Sequence, residues 1–145
     1  MFNQSIGSVL DPKKFLLAAP DTSVSKAAKM MVMRKVSAVM IAKGARLVGI
    51  FTERDAVRVI ATGRDVDATV LSEVMTPDPK TVSPDETIGY AMLLMHENGV
   101  RHAPVVENGR PVGIVSARNA LDPELEEFAS DEQRRRNIRR YSRAS

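Results

Sequence analysis

The chain lies on itself when displaced by 64 positions: residues 20–57 fall on 84–121 without a gap, and 11 of those 38 positions are identical. The identities are Pro20/Pro84, Asp21/Asp85, Ala27/Ala91, Met31/Met95, Val36/Val100, Arg46/Arg110, Val48/Val112, Gly49/Gly113, Ile50/Ile114, Arg54/Arg118 and Ala56/Ala120. Most other pairs keep their character, as Val24/Ile88 and Thr52/Ser116 do. Upstream, Val9-Leu10-Asp11-Pro12 is similar to Val74-Met75-Thr76-Pro77 with a one-residue slip. A tandem duplication within 145 residues restricts the fold more than composition does, because each copy must offer an apolar face that the other can cover. The copies are read as residues 5–66 and 70–121, joined by the polar stretch Gly63 to Thr69. A charged arm, 122–145, follows.

Each copy carries the same periodicities. Val24, Ala27, Ala28 and Met31, and again Ile88, Ala91, Met92 and Met95, have the i, i+3, i+4, i+7 spacing of one helix face. Asp21-Thr22-Ser23 and Asp85-Glu86-Thr87 offer N-terminal capping groups. Gly99 suits a left-handed helix end, where the first copy has Lys35. Short apolar strands follow at Ser37–Ala42 and His102–Val106, then turns at residues 43–46 and 107–110. Asn108-Gly109 is a strong hairpin signal, since both residues tolerate positive φ. Second strands at Leu47–Phe51 and Val112–Val115 lead into helices starting at Thr52 and Ser116. The order is helix, strand, strand, helix, twice, with a short extended lead-in before each first helix. That predicts an α/β (α+β) fold in which two pseudo-symmetric repeats pack through their sheets.

Composition removes several classes of function. Cysteine is absent, which excludes disulfides, thiolate nucleophiles and thiolate metal sites, and two histidines are too few for a histidine-rich metal centre. No nucleophile–base pair or phosphate-binding loop stands out, so no catalytic residue and no metal ligand is assigned and the chain is not read as an enzyme. No apolar run approaches the roughly 18 residues of a membrane span. Met1–Leu10 lacks the basic and apolar regions of a secretory leader, so a cytoplasmic location is expected. Aromatic residues are 4% of the chain, which leaves few stacking platforms for a single-stranded nucleic acid.

The two strand-to-helix turns carry the candidate chemistry. The first reads Gly49-Ile50-Phe51-Thr52-Glu53-Arg54-Asp55 and the second Gly113-Ile114-Val115-Ser116-Ala117-Arg118-Asn119. A helix N-terminus offers unpaired N–H groups and a partial positive charge to a phosphate. A hydroxyl there can donate to an oxyanion, and a carboxylate one turn in can accept from ribose hydroxyls. Thr-x-x-Asp is equally the pattern of a capping box, in which the two side chains serve only the helix end.

The duplicated unit, the Gly-Ile-Phe-Thr-Glu-Arg-Asp turn, Val74-Met75-Thr76-Pro77 and Val100-Arg101-His102-Ala103-Pro104-Val105 together resemble a tandem CBS-domain (cystathionine beta-synthase domain) pair of the stand-alone signal-transduction type. The resemblance covers roughly residues 5–121. It implies a disc-like module with two pseudo-symmetric clefts for adenosine-containing ligands: AMP, ADP, ATP, NAD or S-adenosylmethionine. It also implies a regulatory role and a homodimer. Carried over by residue, it puts phosphate or ribose contacts on Thr52 and a ribose contact on Asp55. The rest of that cleft would come from the other repeat: Lys80, Thr81 and Val82 for the base, Arg101, His102 and Arg118 for phosphates, with Val100 and Pro104 beside them.

The second cleft departs from the pattern. Ser116 keeps the hydroxyl, but Asn119 replaces the carboxylate. Ser37 and Ala38 stand where the other cleft has Arg101 and His102, and Leu16, Leu17 and Met40 complete it. Arg54 is its one nearby cation. The clefts are therefore expected to differ, with the Thr52/Asp55 cleft tighter and phosphate-preferring. Blander readings accompany these: a lone strand histidine at position 102 is ordinarily structural, and Arg54 and Arg118 can be solvated helix residues. His96 falls on a polar helix side, and Met30, Met31, Met33, Met40, Met92 and Met95 read as core filler.

In residues 122–145, six acids precede six arginines. Asp122-Pro123 suits a helix start, and this charge order complements the helix dipole, which predicts a helix from about Pro123 to Arg140. The main reading is a non-catalytic adenine-nucleotide sensor that signals to an unidentified protein partner. The alternatives are an oligomerisation module with vestigial clefts and a nucleic-acid binder using Arg134–Arg140. Equal numbers of acids in the arm count against the latter, so nucleic acid is not the expected partner.

Overall fold

The computed structural model of the protein describes residues 2–11, 14–118 and 132–139. In chain order these form α1 (Ile6–Val9), β1 (Leu17–Ala18), α2 (Val24–Arg34), β2 (Ala38–Lys43), β3 (Arg46–Thr52) and α3 (Glu53–Ala61). The second half contributes α4 (Leu71–Val74), β4 (Thr76–Pro77), α5 (Ile88–Glu97), β5 (His102–Glu107) and β6 (Arg110–Ser116). Residues 132–139 are helical, and the rest of the helix expected over 123–140 lies outside the described residues.

The sheets repeat each other. β1 runs parallel to β2, β2 pairs antiparallel with β3, and β4 closes the edge against β3. In the second copy β5 pairs with β6, and Val82 bridges Val105 in parallel where β1 stands in the first. The register slips between Ile41 and Ala42, and again between Val105 and Val106, so each hairpin carries an irregularity at the same place. The turns differ in kind. Asn108 (φ 53°) and Gly109 (φ 78°) are both positive, as a type I′ turn requires, whereas in the first hairpin only Gly44 (φ 62°) is.

Strand alternation divides the core. Val39, Ile41 and Phe51 turn toward α2 and α3, while Ala103, Val105 and Val115 turn toward α5. Ala38, Met40 and Ile50 are buried outside those clusters, on the alternate positions of the same strands. They face the other repeat, where β3 approaches β6. Met31, Met40 and Met95 are core residues as expected, but Met33 is 81% exposed. It lies off the buried stripe of α2, whose inward positions are Val24, Ala27 and Met31.

The repeats are also interlocked. The first two N–H groups of a helix have no intrahelical acceptor. In α2, Val24 and Ser25 donate instead to the carbonyls of Thr69 and Val66, both at 2.9 Å. In α5, Ile88 and Gly89 donate to Gln4 and Phe2 at 3.0 and 2.9 Å. The third N–H of each helix is taken by the cap side chain, Lys26 to Ser23 and Tyr90 to Thr87, each at 3.1 Å. Each repeat's first helix is thus finished by the segment that leads into the other repeat. The traffic runs both ways, because Leu71 and Ser72 donate back to Thr22 and Pro20, and Ile6 and Gly7 to Glu86 and Pro84. Leu71 is buried in the first core and Ile6 in the second.

The two glycines shared by the turn motifs follow from this crossing. A Cβ on Gly49 would meet the Met75 side chain, and a Cβ on Gly113 would lie 2.8 Å from Leu10 Cδ2. Lys35, by contrast, takes a left-handed helix end (φ 55°) where its counterpart is Gly99 (φ 63°).

Ile6 has no exposed surface, and its cavity would open in the second core although it belongs to the lead-in of the first repeat. Ile6→Ala is expected to destabilise the protein by about 3 kcal/mol, which for a chain of this size lowers the melting temperature by roughly 10 °C. Differential scanning calorimetry checks this, and a change below about 2 °C would mean that the segment contributes little.

Candidate functional site

β3 carries the chain directly into α3, and Thr52 is the residue between them. Its extended backbone (φ −118°, ψ 170°) leaves its side chain over the helix end. A capping box forms: Thr52 N donates to Asp55 Oδ2 at 2.9 Å and Asp55 N donates to Thr52 Oγ1 at 3.4 Å. The Thr52 hydroxyl also donates to Asp55 Oδ2, at 3.1 Å. The helix-capping reading of Thr-x-x-Asp is thus realised. It occupies one carboxylate oxygen only. Oδ1 faces Arg58 Nη1 at 3.6 Å, and that side chain is 65% exposed. Asp55 itself is only 8% exposed. The turn presents a buried, oriented carboxylate with one oxygen whose nearest ionic partner is at the outer limit of pairing.

The second turn repeats the backbone. Glu53 N donates to Ser37 O at 3.0 Å, and Ala117 N donates to Arg101 O at 2.9 Å. Ser116 is buried, Ala117 and Arg118 begin a helix, and Asn119 lies outside the described residues. These two bonds locate residues that sequence reasoning had assigned across the repeats. The Ser37 backbone belongs to the Thr52 turn and the Arg101 backbone to the Ser116 turn, because the residue before each first strand lies beside the end of its antiparallel partner. The crossing is made by the next side chain along. His102 Nε2 meets Ser37 Oγ at 2.8 Å, joining residues 65 apart in sequence.

The remaining candidates fall into two groups. Leu16 and Val82 are buried in the two helix-side cores, and Ala38, Met40 and Pro104 are buried in the strands. Leu17, Arg54, Lys80, Thr81, Val100, Arg101 and Arg118 are exposed. Sequence reasoning passed over Glu53 and Arg58, which bring charge to this turn. The i, i+3 spacing of Asp55 and Arg58 was the available signal.

The His102 imidazole is held below its ordinary value, chiefly because burial penalises its charged form. Glu53 pulls it up, Arg101 pushes it down and Asp55 pulls it up, and burial prevails. The unfolded chain therefore binds more protons than the folded one just below neutrality. Stability is present in full above the unfolded value of about 6.5 and is lost as pH falls toward the depressed folded value. His102→Gln, which keeps a polar side chain toward Ser37, is expected to flatten this loss. Thermal melts of both proteins between pH 8 and pH 5 check it; parallel curves would exclude His102 as the source.

Two interlocked helix–strand–strand units, each running into a hydroxyl-bearing turn at Thr52 or Ser116, define a tandem-repeat α/β module. The CBS-domain model matches the chain twice, at residues 7–62 and 71–123, and the protein belongs to the CBS domain family. An uncharacterised 17.7 kDa protein of Acidianus ambivalens is 40% identical over 108 residues, which is 73% of this chain and 65% of that protein. The chain spans less than two thirds of the length of this and other curated relatives it matches, down to 20%. Among solved structures, an uncharacterised conserved protein of Pyrococcus horikoshii superposes with a TM-score of 0.78 at 27% identity, covering 86% of this chain and 94% of that one. The CBS pair of protein MJ0100, solved with 5′-methylthioadenosine and S-adenosyl-L-methionine, superposes with a TM-score of 0.73 at 25% identity, covering 80% and 95%. Among the described residues no helix is long and apolar enough to cross a membrane, and no group of three or more acidic or histidine side chains could hold a metal ion.

Proposed function

We propose that the protein is a non-catalytic sensor that takes an adenosine-containing ligand of the AMP, ATP, NAD or S-adenosylmethionine class at the seam between its repeats. The observation that carries this is the buried Asp55 carboxylate, oriented by Thr52 through Oδ2 and leaving Oδ1 to accept from vicinal hydroxyls. A buried carboxylate held this firmly is a strong acceptor for a ribose diol. His102 and Arg101 from the other repeat supply donors for phosphate, and the exposed Lys80 and Thr81 lie on the lead-in assigned to the base. The ligands of the MJ0100 pair support the class. A ligand bridging both repeats binds the folded, paired state alone and stabilises it by mass action.

Calorimetric titration with AMP, ATP, NAD, S-adenosylmethionine and adenosine tests the reading, run beside Asp55→Asn, which installs at the first turn the amide of the second. One ligand should bind, and the variant should bind it about 10- to 100-fold more weakly, the worth of a hydrogen bond to a charged group. The completed capping box also suits the alternative reading, a scaffold with vestigial clefts. A folded protein indifferent to all five ligands would favour that one.

We further propose that the protein pairs with a second copy of itself. α2 and α3 pack side by side, and their outer faces leave Val32, Met33, Val57 and Ile60 exposed, the last at 69%. Val57 and Ile60 are one turn apart on α3, so they form a continuous apolar strip. Sedimentation equilibrium should show a dimer, and Ile60→Glu should shift it to monomer without lowering the melting temperature of the monomeric unit. A monomer at all concentrations for the unaltered protein would end this proposal.

A further inference from the structure

The Ser37–His102 contact bears on what the cleft selects, and the inference rests on the nucleotide reading above. We infer that His102 makes the Thr52/Asp55 cleft selective for phosphorylated ligands, by taking up a proton when the phosphate arrives.

The geometry supplies the first reason. His102 reaches across the seam to Ser37 Oγ at 2.8 Å, and Ser37 O in turn accepts from Glu53 N at the start of α3. The imidazole is thereby held against the turn that carries Thr52 and Asp55. A neutral imidazole can reach an anion only through Nδ1–H while accepting from the Ser37 hydroxyl; the imidazolium donates from both nitrogens and adds a positive charge toward the anion.

Charge supplies the second. The groups that act on the ring are Glu53 and Asp55 from the first turn of α3 and Arg101 from its own segment. Arg58 faces Asp55 at 3.6 Å, so two carboxylates meet two guanidinium groups here and leave no surplus positive charge for a phosphate. Burial nonetheless holds the imidazole below its ordinary value, which favours the neutral form. A phosphate brings a further charge of about −1.5 to −2 into this half-buried corner, where screening is weak, and tips the balance toward imidazolium. An uncharged nucleoside adds nothing to that balance.

Duplication supplies the third. The counterparts of Ser37, His102, Glu53 and Asp55 in the other repeat are Arg101, Ala38, Ala117 and Asn119. The titrating set exists once, so proton-linked selection belongs to one cleft.

The test reads the ring directly, because the second ionisation of a phosphate ester, near pH 6, would confuse an affinity measurement. The chain has two histidines, so His96→Gln, a change at an exposed helix position, leaves His102 as the sole imidazole resonance in NMR. That protein is titrated from pH 8 to pH 5 alone, with saturating AMP, and with adenosine. AMP is expected to raise the His102 midpoint by about one unit or more, equivalent to tenfold tighter binding by the protonated form, and adenosine to leave it unchanged. AMP binding seen by calorimetry with the midpoint unmoved would overturn the inference and leave the nucleotide reading standing. So would an equal rise with adenosine, or binding of S-adenosylmethionine while AMP, ATP and NAD fail. No binding by any adenine ligand would overturn both.

Discussion

Everything in this fold depends on where α2 and α5 find acceptors for their first N–H groups. A helix end buried without partners is costly, since each orphaned donor carries a desolvation penalty of about 1–3 kcal/mol. Here the acceptors belong to the segment that leads into the other repeat. Thr69 and Val66 serve α2, and Gln4 and Phe2 serve α5. The same segments plug Leu71 and Ile6 into the opposite cores. Neither repeat is complete alone, so hydrogen bonds and buried side chains tie the two repeats together. A seam of that kind is what a shared ligand site requires, because side chains from both sides must keep their distances.

On this symmetric frame the sequence has placed an asymmetric set of charges. The backbone bonds at the two turns match, Glu53 to Ser37 and Ala117 to Arg101, within 0.1 Å of each other at 3.0 and 2.9 Å. The side chains diverge. One turn has a carboxylate pair at positions 53 and 55 with a histidine reaching toward it. The other has alanine at 117 and asparagine at 119. Duplication thus supplied the geometry twice, and substitution gave the two copies different electrostatics. The capping box consumes only one of the two Asp55 carboxylate oxygens. Thr52 and Asp55 satisfy the helix terminus through Oδ2, while Oδ1 faces the Arg58 guanidinium at 3.6 Å.

Much of this was legible beforehand. Helical periodicity located α2 and α5, Asn108-Gly109 located a hairpin, and Ser23 and Thr87 were among the expected caps. These are local effects, decided by side chains within four residues of one another. The short helices α1 and α4 were not legible. Each is four residues long, and such a helix is stable only through tertiary contact. Met33 was misread as core because it was judged by residue type; the helical period itself puts it nearly opposite Val24 and Met31, on the outward face.

The sequence by itself determined the duplication, the order of elements and the chemical inventory of the two turns, because repeats, periods and residue types are properties of a string. Only the tertiary structure decided which repeat each leading segment completes, that Ser37 meets His102 across the seam, and which oxygen of Asp55 the helix cap consumes. The first two depend on distances between residues tens of positions apart, and the third on side-chain rotamers within one helix turn. No local preference encodes such distances; they emerge when two half-finished cores satisfy each other's hydrogen bonds and apolar surface together.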